Sequence, residues 1–144
     1  MKVLFDTSTL VAAMVEGHPL HEQSLPWLEK ARRGALGYLV AAHSLAELYA
    51  VLSSYPTRPR LMPGVAARLV HDNVATVAHV VALTAADYAS VIRTVAELGL
   101  SGGVVYDALV AQAARKTNAE RLLTLNVRDF LRVWPEGAQI VVAP

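Results

Sequence analysis

Apolar residues along this chain follow two rhythms that alternate from one end to the other. Short apolar runs occur at Val3–Phe5, Gly37–Ala42, His79–Leu83, Arg121–Leu125 and Gln139–Ala143. Each is strand-length and lacks the polar alternation of a half-exposed strand, so each predicts a strand covered on both faces. Between the runs, apolar residues recur three and four positions apart. That period predicts helices over Thr9–Val15, His21–Arg33, Ser44–Ser54, Val65–Val77, Thr84–Leu98 and Val104–Lys116. Ser44 with Glu47, and Thr84 with Asp87, read as capping boxes at two helix starts. Tyr55–Gly64 (YPTRPRLMPG) has three prolines and reads as a loop. Strand alternating with helix throughout predicts the α/β class, with a central parallel sheet of about five strands and helices on both faces.

Composition adds limits to this picture. At 144 residues the chain is the usual size of one domain, expected to span 1–144, and can bury a core without staples. Hydrophobic residues make up 54% and charged residues 17%, more apolar than a typical domain. Either alanine-rich helices inflate that figure or some apolar surface is left for a partner. No cysteine is present, which excludes disulfides and thiol chemistry and suits a reducing compartment. No stretch approaches the roughly 18 to 20 apolar residues of a membrane span. The start, MKVLFD, reaches an acid too early for a signal peptide, so a cytoplasmic protein without membrane contact is expected. A net charge of +1 supplies no overall basic field, and any contact with nucleic acid must be local.

The candidate chemistry lies at strand ends and helix starts. Asp6 closes the first strand, at the edge where α/β sheets bind ligands, although an Asp there also suits a helix N-cap. Glu47 lies in a helical first turn, where the capping box is its structural alternative. Asp107 falls in the first turn of another helix, where the dipole is expected to favour its ionised form. Asn126 and Asp129 follow the fourth strand. Carboxylates gathered in one crevice resist common ionisation, and a divalent cation removes that cost. Oxygen-only ligands point to Mg²⁺, with Mn²⁺ as substitute, rather than zinc. Arg58, Arg60 and Arg128 are candidate phosphate contacts, against the plainer reading of solvated loop residues.

Four segments in order, VLFDTSTL, HSLAELYAVL, VVYDALVAQAA and LLTLNVRDF, resemble the PIN-domain ribonucleases and, within them, the VapC-type toxins of bacterial toxin–antitoxin pairs. The resemblance spans essentially the whole chain and implies a single three-layer PIN-like domain. It places the family's first three acids on Asp6, Glu47 and Asp107. Where the family commonly has a fourth acid this chain has Asn126, with Asp129 three residues later, so either could complete the site. Thr7, Ser8 and Thr124 match the small polar residues that orient the carboxylates. The implied activity is Mg²⁺-dependent hydrolysis of RNA to 5′-phosphate and 3′-hydroxyl ends. The implied partners are an RNA substrate, a second copy in a homodimer and a small inhibitory antitoxin. Two other readings remain in view. Haloacid-dehalogenase-type phosphatases also begin with a strand-end Asp, but want an acid where Ser8 stands; a catalytically weak binding module would use the same fold without cleavage. Metal-dependent RNA cleavage lost on Asp6→Ala separates the nuclease from both.

Overall fold

Past Lys2, every side chain of strand β1 (Lys2–Phe5) is buried, on both faces, which places it at the centre of a sheet. The computed structural model describes all residues, Met1–Pro144, and has five strands in the order β3-β2-β1-β4-β5, every neighbouring pair parallel. The others are β2 (Gly37–Ala41), β3 (His79–Val81), β4 (Arg121–Leu123) and β5 (Val141–Val142). Leu4 is paired with Leu39 on one side and Leu122 on the other.

Alternate strand residues feed two cores. Val3, Phe5, Tyr38, Val40 and Leu123 pack with α1 (Thr7–Met14), α2 (His21–Arg32), α3 (Ala42–Ser54) and α4 (Pro63–Val70). Leu4, Leu39, Ala41, Leu122 and Val141 pack with α6 (Val104–Thr117) and with Phe130 and Trp134 in and after α7 (Val127–Val133). The result is three layers, as the doubly buried strands require. Helix α5 (Ala85–Glu97) joins through Val91 and Val95, which pack on Ala108 and Leu109 of α6 and Val133 of α7. No helix is long and apolar enough to cross a membrane.

The structure corrects several boundaries. The strands after β2 are two or three residues long, and β4 ends at Leu123, so that Thr124 and Leu125 lie just beyond it. Helix α1 begins at Thr7 rather than Thr9, and α4 begins at Pro63, whose missing N–H costs nothing in a first turn. The helix expected over Val65–Val77 changes to a π-helical turn at His71–Ala75. The capping box at Ser44 and Glu47 does not form. Strand β2 runs straight into α3, whose N-cap is Ala41; Ser44 is therefore inside the helix, fully buried with its hydroxyl unpartnered. The Thr84–Asp87 box forms with both of its bonds.

Candidate active site

The strand order turns at β1, with β2 and β3 on one side and β4 and β5 on the other. In a parallel sheet that switch opens a crevice beyond the strand C-termini, here between the ends of β1 and β4. Asp6 sits in it, 5% exposed, its N–H donating to the Leu123 carbonyl at 2.9 Å. It holds the N-cap position of α1, but its side chain makes no capping bond. Instead Oδ2 accepts from Ser8 Oγ at 2.7 Å and from Thr124 Oγ1 at 2.9 Å. Each hydroxyl is oriented in turn by a backbone N–H, Leu125 donating to Ser8 Oγ and Asn126 donating to Thr124 Oγ1, both at 3.0 Å. With an N–H occupying each oxygen's lone pair, the hydroxyl hydrogens turn toward Asp6. The first carboxylate is thus tied to residues more than a hundred positions away.

Two more acids share the crevice. Glu47 projects from the second turn of α3, its side chain 45% exposed. Burial and the charge of Asp6 raise its pKa, while the Thr7 hydroxyl, which lacks a partner of full hydrogen-bond geometry, opposes the rise. Asp107 comes from the first turn of α6. Its carboxyl is pushed up to about 7, first by burial and then by Asp6, Asp129 and Glu47. This overturns the expectation that the dipole keeps it ionised: a helix N-terminus contributes about 0.3 to 1 kcal/mol, less than burial beside three other carboxylates. A cleft of about 300 Å³ is lined by Asp6, Thr7, Ser8, Glu47, Asp107 and Asn126, with Val11, His18, Val51, Tyr55 and Leu125 completing its walls. A larger depression, about 440 Å³, opens among Lys2, Gly37, His79 and Lys116, but no carboxylate lines it.

The remaining candidates fall outside the cleft lining. Asp129 lies in the first turn of α7, half exposed and 3.6 Å from Arg132, near enough for its charge to act on Asp107. Thr124 is buried beneath Asp6. Arg58 and Arg60 line a separate depression with Pro56, Thr57 and Pro59, and Arg128 is exposed on α7. None of the three arginines makes an ion pair.

The donor set suits a hard divalent cation: carboxylate oxygens in an open cleft, with Glu47 and Asp107 raised in pKa by burial and then by neighbouring negative charge. No three His, Cys, Asp or Glu side chains stand close enough to enclose an ion as placed.

Sequence reasoning passed over His18, His43, Tyr55 and Tyr106. His43 Nε2 is buried without a hydrogen bond, 3.8 Å from Glu47 Oε2; burial lowers its pKa and Asp6 opposes this. The signal was a period of four along α3, His43, Glu47, Val51 and Tyr55, hidden beside the stronger apolar stripe of Leu45, Leu48 and Leu52.

The family model described as "PIN domain" matches residues 3–133, taking in Asp6, Glu47, Asp107, Asn126 and Asp129. The chain belongs to the PIN-domain family. This PIN domain is 34% identical over 138 residues to Ribonuclease VapC27 of Mycobacterium tuberculosis, covering 96% of this chain and 94% of that one. In fold it is similar to the crystal structure of Mycobacterium tuberculosis VapC20, a sarcin–ricin loop cleaving toxin, with TM-score 0.66 and 19% identity over 83% of this chain and 86% of that one. It is also similar to VapBC2 of Rickettsia felis bound to a DNA fragment from their promoter, with TM-score 0.65 and 20% identity over 100% and 99% of the two chains.

Proposed function

We propose that this PIN domain is a Mg²⁺-dependent endoribonuclease, the toxin of a VapBC-type pair, hydrolysing RNA at the cleft where Asp6, Glu47 and Asp107 meet. The observation that carries the reading is that convergence, from β1, α3 and α6, at the β1/β4 switch point. The 34% identity to a curated VapC ribonuclease supports the same chemistry.

Asp6 and Asp107 would be the main holders of the cation and Glu47 would reach it directly or through water, with Asn126 as a neutral neighbour in the cleft and Asp129 adding charge from α7. When bound, the ion supplies a water of lowered pKa and positive charge beside the phosphoryl oxygens. The protein's own groups do the rest. Ser8 and Thr124 hold the Asp6 carboxylate in one orientation, and Thr7 stands beside Glu47. Glu47, with its raised pKa, is suited to take a proton from the attacking water, or to bind the ion through water. Water adds to phosphorus, the bond from phosphorus to O3′ breaks and O3′ receives a proton, leaving a 5′-phosphate and a 3′-hydroxyl. Arg58, Arg60 and Arg128, all exposed and without an ion pair, would hold phosphates along the strand. A homodimer, and an antitoxin that covers the cleft, complete the reading.

The test is incubation of purified protein with RNA in Mg²⁺, Mn²⁺, Zn²⁺ and EDTA, beside Asp6→Ala. Cleavage in Mg²⁺ or Mn²⁺ that stops in EDTA and in the variant is expected; cleavage that survives either is evidence against it. Sequencing the 5′ ends would name the target.

A further inference from the structure

Helix α3 carries His43, Glu47 and Val51 one turn apart, and Tyr55, its C-cap residue, continues the stripe; the last three line the cleft. Each end of the stripe holds a histidine–tyrosine stack made with another element. At the start, the His43 ring lies against Tyr106, the neighbour of Asp107 on α6, with centroids 6.5 Å apart and planes tilted by 32°. At the far end, Tyr55 lies against His18 from the turn after α1, at 6.4 Å and 35°. With a rise of 1.5 Å per residue, the backbone positions of His43 and Tyr55 are about 18 Å apart along the helix axis, with that of Glu47 about 6 Å from one and about 12 Å from the other. Glu47 therefore lies between the two aromatic pairs along the helix, with one pair, His18 and Tyr55, lining the acidic cleft itself.

Tyr55 packs partly against the core and also lines the cleft. Tyr106 is 58% exposed. Buried Tyr38 donates its hydroxyl to the Asn73 carbonyl, whereas the hydroxyls of Tyr55 and Tyr106 have no partner in the fold. His18 is fixed in orientation, its Nδ1 accepting from the Leu20 N–H at 3.0 Å. The cleft between the pairs is acidic and the chain's net charge is only +1, so electrostatics contributes little attraction for an RNA backbone. Base stacking contributes affinity without charge, because every base has a π-face.

We propose that the two stacks are platforms for unpaired bases on either side of the scissile phosphodiester, Tyr55 with His18 on one side and Tyr106 with His43 on the other. This rests on the ribonuclease reading and narrows it. The substrate is a single-stranded or looped RNA with its bases splayed outward, since a duplex keeps its base faces covered.

The test is fluorescence anisotropy with a labelled single-stranded RNA of about 12 nucleotides, within the span of a single-strand groove. It is repeated with single abasic sites at each position and with the RNA annealed to its complement. Proteins are made in an Asp6→Asn background, so that nothing is cut. Tyr55→Ala and Tyr106→Ala should each weaken binding about fivefold or more, while Tyr55→Phe and Tyr106→Phe, which keep the ring, stay near the parent. An abasic site at one position should weaken the parent and leave no further loss for the matching alanine variant. The duplex should bind poorly to all. Alanine variants that bind like the parent, or that lose the same factor on every abasic RNA, overturn the proposal. If an alanine variant has lost its native circular dichroism, an unchanged affinity of the parent across the abasic series overturns it instead. Wild-type protein that cleaves no RNA in Mg²⁺ would refute the ribonuclease reading, and the binding series would still decide the stacking on its own.

Discussion

Replacing Asp107 by Asn should stabilise this protein above neutral pH while abolishing its chemistry. In the folded chain the Asp107 carboxyl titrates at about 7 instead of the ordinary 3.8, because it is partly buried and faces Asp6, Asp129 and Glu47. Below pH 3.8 the group is neutral in folded and unfolded chains alike, and its ionisation costs the fold nothing. As pH rises from 3.8 toward 7, the unfolded chain ionises and the folded one does not, so stability falls; above 7 the loss is constant. At about 1.4 kcal/mol per tenfold change in acidity, the full displacement is roughly 4 kcal/mol, and exposure to cleft water reduces it to about 1 to 2 kcal/mol. Urea unfolding in EDTA, followed by fluorescence of the two tryptophans, one of them the buried Trp134, measures this directly. The advantage of Asp107→Asn should be near zero at pH 4, grow through pH 6 and level off by pH 8. Added Mg²⁺ should narrow the gap at pH 8 by stabilising only the wild type. A difference that is flat across this range, or that favours wild type at pH 8 in EDTA, would refute the argument.

Four further outcomes can be measured. Thr124→Ala removes one donor from Asp6 and the acceptor for the Asn126 N–H, so half-saturation of cleavage should need about 10- to 100-fold more Mg²⁺; an unchanged Mg²⁺ curve would show that Thr124 only packs. Asp87 is held at about 2 by Lys116 and by the backbone and hydroxyl of Thr84, so its contribution is present above pH 3.8 and lost as pH falls toward 2. Asp87→Asn should flatten that acid limb of a thermal-melt profile, and an unaltered limb would count against the pairing. Light scattering at tens of micromolar should give the mass of a dimer. If the antitoxin inhibits through a guanidinium that competes with the cation, rising Mg²⁺ should relieve the inhibition, whereas inhibition indifferent to Mg²⁺ would mean that it blocks the RNA path.

Local pattern by itself determined the layers of this molecule. Apolar runs at Val3–Phe5 and Gly37–Ala42 encode strands buried on two faces, and a carboxylate ending such a run falls at the sheet edge where ligands collect. Asp6 was legible for that reason, and Glu47 and Asp107 became so through the segments that resemble PIN domains. The ordering of strands was not legible, because hydrogen-bonded neighbours are chosen by long-range packing rather than by period. The same limit hid the cap at α3: Ser44 and Glu47 have capping-box spacing, but β2 runs into the helix without a loop and makes Ser44 an interior residue. It also reversed the expectation for Asp107, since a single helix shows the favourable dipole and not the three carboxylates brought opposite it. Likewise, the stripe of His43, Glu47, Val51 and Tyr55 is written in the sequence, while its meeting with Tyr106 and His18 is not. Sequence period sets which way each residue points; what stands opposite is decided only when the sheet's order and register bring distant segments together.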